Sequence, residues 1–201
     1  MKLQIAKGVK DFPPEEKILK NQVVDTLKQT FELYGFTPLE TPIIERYENL
    51  AAKFAAGEDS DALKEIFKLK DQGNRDLGLR FDLTVPLARY GAMNSQLKLP
   101  FKRYEMGPVF RDGPIKLGRY REFTQCDVDI VGSGKLRRDA EIVEIAAKVF
   151  EKLNLNVVIK INNRKVVDGL LDAAGLDDSK FETAVLSIDK LEKLGKDAVK
   201  K

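Results

Sequence analysis

The chain has 201 residues, of which 43% are hydrophobic and 33% are charged, and 35 Lys and Arg against 32 Asp and Glu give a formal net charge of +3. This is the composition of a folded globular protein, and the length suits one domain or one and a half, since single cores usually divide beyond roughly 250 residues. The sequence has no histidine and one cysteine, Cys126, which excludes an internal disulfide, the usual zinc sites and Ser-His or Cys-His catalysis. The near balance of charge gives no sign of a dedicated nucleic-acid binder.

The hydropathy pattern predicts a cytoplasmic protein. No run of the sequence approaches the about 18 apolar residues that a membrane helix needs, and the polar first seven residues, MKLQIAK, do not resemble a signal peptide. Neither Gly-x-Gly-x-x-Gly nor the Walker pattern occurs in the chain.

The first third of the chain predicts a loop, a long helix and an extended segment. After the Pro13-Pro14 loop, apolar residues recur at spacings of three and four over residues 15–34, and Gly35 is a typical helix stop. Residues 36–44 are then extended, but Pro38 and Pro42 restrict them to an edge or interface strand. We expect another element or chain to cover that edge.

The remaining elements predict an α+β fold with antiparallel hairpins. A short helix is expected around 47–56, followed by a loop, then strands at 65–70 and 76–81 joined by a turn, a helix at 84–94, and strands at 101–111 and 119–131. A second amphipathic helix is expected at 136–153, one more strand at 156–161, and short helices at 164–174 and 180–193 before a lysine-rich tail. A domain boundary is expected near Asn162, and the antiparallel hairpins favour α+β over a βαβ series.

The expected strand at 119–131 provides the candidate functional residues. Side chains alternate between the two faces of a strand, so its odd and even residues can be considered separately. The even residues become increasingly apolar along the strand and predict a packing face. The odd residues are cationic at one end, aromatic and amide in the middle, and anionic at the other end; they are Arg119, Arg121, Phe123, Gln125, Asp127 and Asp129. Arg121 and Asp129 would lie roughly 27 Å apart at about 3.4 Å per residue.

This face suits an amine beside a nucleotide triphosphate. Guanidinium groups pair bidentately with phosphates, so Arg111 on the partner strand with Arg119 and Arg121 would hold them, and Phe123 would offer its ring to a base. Further along, an amide and a carboxylate would accept hydrogen bonds from an ammonium or a ring N–H. The alternative is a solvated sheet face with cross-strand ion pairs, and parity alone leaves both open.

Four segments then carry a family resemblance. They resemble motifs of histidyl-tRNA synthetase, a class II aminoacyl-tRNA synthetase, and their sequences are most similar to the archaeal and eukaryotic branch. The segments are residues 37–42 (TPLETP), 79–86 (LRFDLTVP), 109–111 (VFR) and 118–129 (GRYREFTQCDVD). The resemblance runs from Lys7 to about Lys193. It implies the class II antiparallel sheet flanked by helices, with motifs 1 and 2 in residues 1–162 and the start of a helical insertion region in residues 163–201.

The resemblance implies roles for particular residues. Pro42 matches the motif 1 proline at the dimer interface, although it also suits an ordinary turn. Asp82 and Thr84 match the residues that hold the α-amino group of histidine, with a helix N-cap as the other interpretation. The remaining matches are Arg111 at the α-phosphate, Arg119 near the ATP phosphates, Phe123 stacked on adenine, and Gln125 and Asp129 in the histidine pocket. Arg121 is predicted to bind ATP from its place on the same strand face.

The implied reaction is activation of L-histidine by ATP with Mg²⁺, followed by transfer to histidine tRNA, in a homodimer. The resemblance implies no zinc, no organic cofactor and no membrane association, and it assigns no side chain as a metal ligand. Catalysis would rest on positioning and electrostatics, with Arg111 as the catalytic residue. Two departures stand out. Gly113 replaces the glutamate often found two positions after the motif 2 arginine, with Asp112 a possible substitute. The chain also ends before the second histidine signature, motif 3 and the anticodon-binding domain, so we expect this chain alone to be weak or inactive.

Two other functions stay open. One is a non-catalytic regulatory protein, similar to the synthetase-like subunit that binds histidine and controls ATP phosphoribosyltransferase. A protein that only binds histidine does not need the expected ATP-binding residues Arg111, Arg119, Arg121 and Phe123, which argues against this interpretation. The other is a dimerisation module that uses only the Pro42 region. In that case those four residues would have no function.

Overall fold

The computed structural model describes residues 3–52 and 61–195, which divide into two compact units between Val157 and Val158. In the first unit the elements follow in the order α1 (Pro14–Leu33), β1 (Thr37–Pro38), β2 (Ile44–Arg46), α2 (Tyr47–Ala52), α3 (Asp61–Lys64), β3 (Lys68–Lys70), β4 (Asp76–Leu79), α4 (Thr84–Met93), β5 (Phe101–Phe110), β6 (Glu122–Val131) and α5 (Leu136–Lys152). The mixture of helices with mostly antiparallel strands confirms the α+β class. No helix in the described part of the chain is both long and apolar enough to cross a bilayer.

The larger sheet has the strand order β1-β5-β6. Strands β5 and β6 form an antiparallel ladder of ten residue pairs, from Phe101 opposite Val131 to Phe110 opposite Glu122. Strand β1 runs parallel to β5 and lies at the edge, as the proline in this segment predicted. The long helix before it ends as expected, since Gly35 has a φ of +74°.

The smaller sheet has the order β2-β4-β3 and confirms the expected hairpin. Its turn places Asn74 at a φ of +59°, with the Asn74 N–H donating to the Asp71 carbonyl at 2.9 Å. Both strands are shorter than the sequence predicted, because β3 begins only at Lys68, after α3 and a turn, and β4 ends at Leu79. The expected helix at 47–56 is seen as α2, and its residues 53–56, with most of the following loop, lie outside the described residues.

The main core lies on the even-numbered face of β5 and β6. Tyr104 packs there with four other buried side chains from α1, the following turn and α5, which are Phe31, Phe36, Ile145 and Val149. Val128 and Ile130 pack against this cluster, so the predicted packing face is confirmed toward the end of β6. The odd-numbered residues of the two strands face the other way, and we call this surface the site face.

The second unit contains helices α6 (Arg164–Ala173) and α7 (Phe181–Leu194), joined through a short 3-10 turn. Asn163 caps α6 by accepting a hydrogen bond from the Lys165 N–H at 2.9 Å. Both helices were expected from the sequence. The expected strand at 156–161 was wrong: the segment is irregular, with Val158 87% exposed and Ile161 71% exposed. Its apolar residues suit a strand, but a strand must pair its backbone groups, and no segment in the described part of the chain pairs with it.

Candidate active site

The site face brings charged and polar residues of β5 and β6 into direct cross-strand pairs. Arg103 lies opposite Asp129, Glu105 opposite Asp127, Gly107 opposite Gln125 and Val109 opposite Phe123. The structure therefore aligns three of the sequence-predicted residues, Phe123, Gln125 and Asp129, on one surface. It also adds residues of β5 that the sequence reasoning did not single out.

A fully buried arginine holds the anionic end of the site face. The Nη2 atom of Arg103 lies 2.8 Å from Oδ2 of Asp129 and donates to the Leu83 carbonyl at 3.0 Å, and its Nη1 lies 3.3 Å from Glu105. Asp129 Oδ2 nevertheless has no well-directed hydrogen bond from any described residue. The charge of the Asp129 carboxylate is thus offset by the nearby guanidinium, although its buried Oδ2 accepts no hydrogen bond from the described residues.

A second buried arginine extends this network toward the end of β1. Arg80 Nη1 donates to the Thr41 carbonyl at 2.7 Å and to Glu105 at 3.0 Å, and its Nε donates to the Pro108 carbonyl at 2.8 Å. Its Nη2 would lie only 2.2 Å from a Cβ placed on Gly107, so residue 107 has to be glycine for the guanidinium to lie flat on the strand. Buried charges persist only when paired and hydrogen-bonded in this way.

Asp82 and Thr84 lie at the start of α4, beside the Arg103 network. Asp82 is buried, and its Oδ1 accepts hydrogen bonds from the backbone N–H groups of Thr84 at 3.1 Å and Val85 at 3.0 Å. Asp82 therefore satisfies two of the unpaired N–H groups at this helix terminus. Thr84 is exposed. The capping interpretation thus applies to Asp82, while the Thr84 side chain faces solvent.

Gln125 and Asp127 interact along the strand. The amide nitrogen Nε2 of Gln125 lies 3.0 and 3.1 Å from the two carboxylate oxygens of Asp127. Both side chains are half-buried on the site face. The amide is therefore held in one orientation between the aromatic and the anionic parts of the surface.

Arg111 lies between two aromatic rings at the other end of the site face. The centre of its guanidinium is 4.3 Å from the ring centroid of Phe81 and 5.0 Å from that of Phe123, and its Nε lies 3.3 Å from the Phe81 carbonyl. Stacking of this kind orients the planar fork and leaves its edge free to pair with an anion. Phe123 thus contacts the arginine predicted to bind phosphate.

The other two predicted phosphate ligands already have acidic partners. Arg121 pairs with Asp112 at 3.1 Å, and Arg119 pairs with Glu65 at 2.9 Å with half of its side chain exposed. The prediction that Arg119 belongs to the strand was wrong, since β6 begins at Glu122 and Arg119 forms a small turn with Lys116 next to the positive φ of Gly118. Arg121 still continues the ladder through its carbonyl, which accepts from the Arg111 N–H at 2.8 Å.

The loop that departs from the family pattern packs against Glu65. A Cβ placed on Gly113 would lie 2.6 Å from the Glu65 carboxylate, and the Asp112 N–H donates to the Glu65 carbonyl at 2.7 Å. The Asp112 carboxylate is occupied by Arg121. Whether Asp112 replaces the usual glutamate therefore stays a prediction. Pro42, predicted at a dimer interface, is exposed directly after the buried Thr41.

The sequence reasoning missed Arg80, Arg103 and Glu105 as parts of the site. The alternation of side chains that pointed to Gln125 and Asp129 on β6 applies equally to β5. Once the register of the ladder is known, it places Arg103 and Glu105 on the site face. Asp127 was on the selected face but received no role. Glu65 is distant in sequence from the motif 2 loop, and no local pattern connects it to Arg119.

The electrostatics divide the site into two ends. Burial raises the pKa of the Asp129 carboxyl above its ordinary value, while the charge of Arg103 opposes this shift. Arg111, Arg119 and Arg121 supply positive charge at the other end. Within residues 3–52 and 61–195, no three acidic or cysteine side chains cluster as a metal site. The arrangement suits a ligand with an amine at one end and phosphates at the other.

Comparison with known proteins identifies the family. The sequence matches the family model described as histidyl-tRNA synthetase over residues 8–194. The chain belongs to the histidyl-tRNA synthetase family. It is 50% identical over 201 residues to histidine–tRNA ligase 1 of Bacillus thuringiensis subsp. konkukian, covering 100% of this chain and 47% of that protein. It is 43% identical over 205 residues to histidine–tRNA ligase of Clostridium tetani, covering 100% of this chain and 45% of the relative.

Solved structures agree with this membership. The crystal structure of histidyl-tRNA synthetase from Nostoc sp. superposes with a TM-score of 0.83 at 39% identity, covering 100% of this chain and 44% of that one. An ATP phosphoribosyltransferase regulatory subunit/histidyl-tRNA synthetase from Bacillus halodurans superposes with a TM-score of 0.65 at 26% identity, covering 78% of this chain and 39% of that one. The chain thus spans about half the length of the curated relatives it matches. The relatives named are bacterial, so the similarity to the archaeal and eukaryotic branch stays a prediction.

Proposed function

We propose that this chain carries the histidine and ATP sites of a histidine–tRNA ligase. The proposed reaction joins L-histidine to the α-phosphate of ATP and, in the complete protein, transfers the histidyl group to histidine tRNA. The observation that carries the proposal is the site face, where one strand pair presents carboxylates and an amide at one end and Arg111 with Phe123 at the other. The 50% identity to a histidine–tRNA ligase supports the same conclusion.

The anionic end of the site face suits the amino acid. Around Arg80 and Arg103 lie four carboxylates, those of Asp82, Glu105, Asp127 and Asp129, so the local charge is negative and favours a ligand that brings an ammonium group. Asp82 and Thr84 would hold that ammonium group. Gln125 would accept a hydrogen bond from the N–H of the histidine ring, and Asp129 would line the same pocket beside the ring.

The cationic end suits the triphosphate of ATP, which would arrive as its magnesium complex. Arg111 would contact the α-phosphate, with Arg119 and Arg121 on the other phosphates and Phe123 against adenine. The pair between Arg119 and Glu65 is partly exposed, and such pairs contribute only about 0–1 kcal/mol, so a phosphate can replace the carboxylate at small cost. Magnesium would bridge phosphate oxygens and neutralise part of their charge.

The residues would act by positioning and electrostatics. A carboxylate oxygen of histidine attacks the α-phosphorus, the bond to the bridging oxygen breaks, and pyrophosphate leaves. Arg111 would stabilise the negative charge that develops on the α-phosphoryl group, and its stacking between Phe81 and Phe123 holds the guanidinium before the reaction begins. No histidine or cysteine side chain takes part in this scheme.

The wider assembly is proposed from the resemblance to the family. We propose that residues 1–162 form the part of a class II catalytic domain with motifs 1 and 2, and that residues 163–201 begin a helical insertion region. The exposed Pro42 would lie at the interface of a homodimer, where a partner would cover the edge strand β1. The buried contact of Thr41 with Glu105 would connect that interface to the site face.

A histidine-binding regulatory subunit is the second candidate. The structural similarity to the Bacillus halodurans protein, whose title names both a regulatory subunit and a synthetase, favours keeping it. The retained cluster of Arg111 and Phe123 favours the ligase, because histidine sensing needs no triphosphate site. Histidine binding without any ATP-dependent reaction, together with co-purification of ATP phosphoribosyltransferase, would favour the regulator.

The proposal is tested by ATP–pyrophosphate exchange with histidine and with a panel of other amino acids. We expect any exchange to depend on histidine alone and to disappear in Arg111→Ala. Lys70→Ala is a matched control, since it also removes a cation but lies on β3, paired with Asp76. Exchange that depends on another amino acid would contradict the proposal.

A further inference from the structure

The amide of Gln125 has a fixed orientation in this structure. Its nitrogen Nε2 contacts both carboxylate oxygens of Asp127, at 3.0 and 3.1 Å, two positions further along the same face of β6. An ionised carboxylate only accepts hydrogen bonds, so only the NH₂ end of the amide can face it. The chemistry of Asp127 therefore decides which way the amide points.

The consequence is that the carbonyl oxygen of Gln125 faces away from Asp127. No donor to this oxygen is found among residues 3–52 and 61–195. The oxygen is also not among the buried atoms that lack a hydrogen bond, so a ligand can reach it. An amide that is free to rotate offers a ligand either a donor or an acceptor. An amide held by Asp127 offers only an acceptor.

We propose that Asp127 is a positioning residue that makes Gln125 select for a ligand N–H. The inference rests on the proposed function, in which Gln125 lines the histidine pocket. A histidine ring carries both an N–H and an unprotonated nitrogen, and the fixed carbonyl admits the ring in the orientation that donates. A ring of the same size with no N–H would cover the carbonyl oxygen and leave it unpaired, and sites built this way discriminate strongly.

Neighbouring groups do not take over this role. Asp129 is engaged with Arg103, and Glu105, which lies opposite Asp127, is engaged with Arg80 and Arg103. On the other side, Gly107 lies opposite Gln125 and contributes no side chain. Within the described part of the chain, Asp127 is thus the acceptor that orients the amide.

The test compares the dissociation constants of L-histidine and thiazolylalanine, whose ring has an acceptor nitrogen and no N–H, by calorimetry on the full chain. We expect Asp127→Asn to reduce the preference for histidine by about tenfold, because the Asn side chain also offers a donor and the Gln125 amide can then rotate. Asp127→Glu should restore most of the preference. Glu122→Gln is the matched control, since it loses the same charge on the opposite face of β6 and should leave the preference unchanged.

An unchanged preference in Asp127→Asn, with histidine still bound, would overturn the inference. A second readout separates this failure from failure of the proposed function. In NMR spectra of the chain without ligand, the side-chain amide protons of Gln125 should be shifted and protected from exchange, and both effects should disappear in Asp127→Asn. If the wild-type chain binds no histidine, the proposed function fails, and the absence of this NMR signature would overturn the inference as well.

Discussion

The guanidinium of Arg103 lies directly across the β5–β6 ladder from the carboxylate of Asp129, with 2.8 Å between Nη2 and Oδ2. The same Nη2 donates to the carbonyl of Leu83, between Asp82 and Thr84. One buried side chain therefore ties together the two segments that carry the proposed amino-acid site. The fold and the site share this group, so changes to it should affect both.

Arg103→Met is expected to lower the free energy of unfolding by about 3–5 kcal/mol, because it leaves the partly buried Asp129 without its cation and removes one of the two arginines that pair with the buried Glu105. Arg119→Met provides the comparison, since it also removes an arginine from an ion pair, but one with half of the arginine exposed. We expect a loss of roughly 0–1 kcal/mol there. Urea unfolding of both variants measures the difference, and equal losses would show that the buried network does not stabilise the fold.

Gly107→Ala is expected to be strongly destabilising. The new Cβ would lie 2.2 Å from Arg80 Nη2, and the guanidinium would have to leave its partners Thr41 and Glu105. Gly91→Ala in α4 is the control, because nothing lies within 4 Å of its Cβ and alanine favours a helix by up to about 1 kcal/mol. The Tm should therefore fall in Gly107→Ala and rise in Gly91→Ala. An unchanged Tm in Gly107→Ala would contradict the described packing.

Arg111→Lys should weaken ATP binding although it keeps the charge. Lysine lacks the planar fork that lies between the rings of Phe81 and Phe123, so it would hold the phosphate as a mobile point charge. We expect about a tenfold weaker ATP affinity, which corresponds to one charge-assisted hydrogen bond, and an unchanged histidine affinity. Calorimetric titration with ATP and magnesium measures this, and equal loss of both affinities would indicate general disruption.

The ionisation of Asp129 gives a prediction about pH. Burial raises the pKa of this carboxyl above its ordinary value of 3.8, with Arg103 opposing and Asp127 adding to the increase. Because the folded-state pKa exceeds the unfolded value, protonation of Asp129 stabilises the fold. This contribution to the free energy of unfolding grows as the pH falls through the raised pKa and is complete below the unfolded one.

Asp127→Asn removes a neighbouring negative charge and should lower the pKa of Asp129. Titration of the Asp129 carboxyl carbon by NMR gives this value directly, with Glu122→Gln on the opposite face of the strand as the control. A pKa of Asp129 that rises or stays constant in Asp127→Asn would contradict the described arrangement of charges.

Periodicity predicted much of the fold. The apolar spacing before Gly35 placed α1, and the alternation after Arg121 separated a core face holding Val128 and Ile130 from a polar face. Such patterns are local, so they can be counted along the sequence. The same local reasoning failed at residues 156–161, where an apolar run suits a strand but no segment among the described residues pairs with it.

The site was predicted only in part, because its support depends on contacts between distant segments. Motif positions identified Gln125 and Asp129, but Arg103 is recognisable only once the ladder register places it opposite Asp129. Glu65 contacts Arg119 across 54 residues of sequence. A charged residue in a single sequence does not reveal whether its partner will be another side chain or water.

We propose that this chain forms a site selective for histidine beside a site for ATP. Thermal unfolding with histidine, with ATP and magnesium, and with other amino acids tests it most directly, since a ligand at a hundredfold excess over its Kd stabilises the native state by about 2.7 kcal/mol. We expect a rise in Tm with histidine but not with other amino acids, and a further rise when ATP and magnesium are added. Equal shifts with all amino acids, or no shift with histidine, would contradict it.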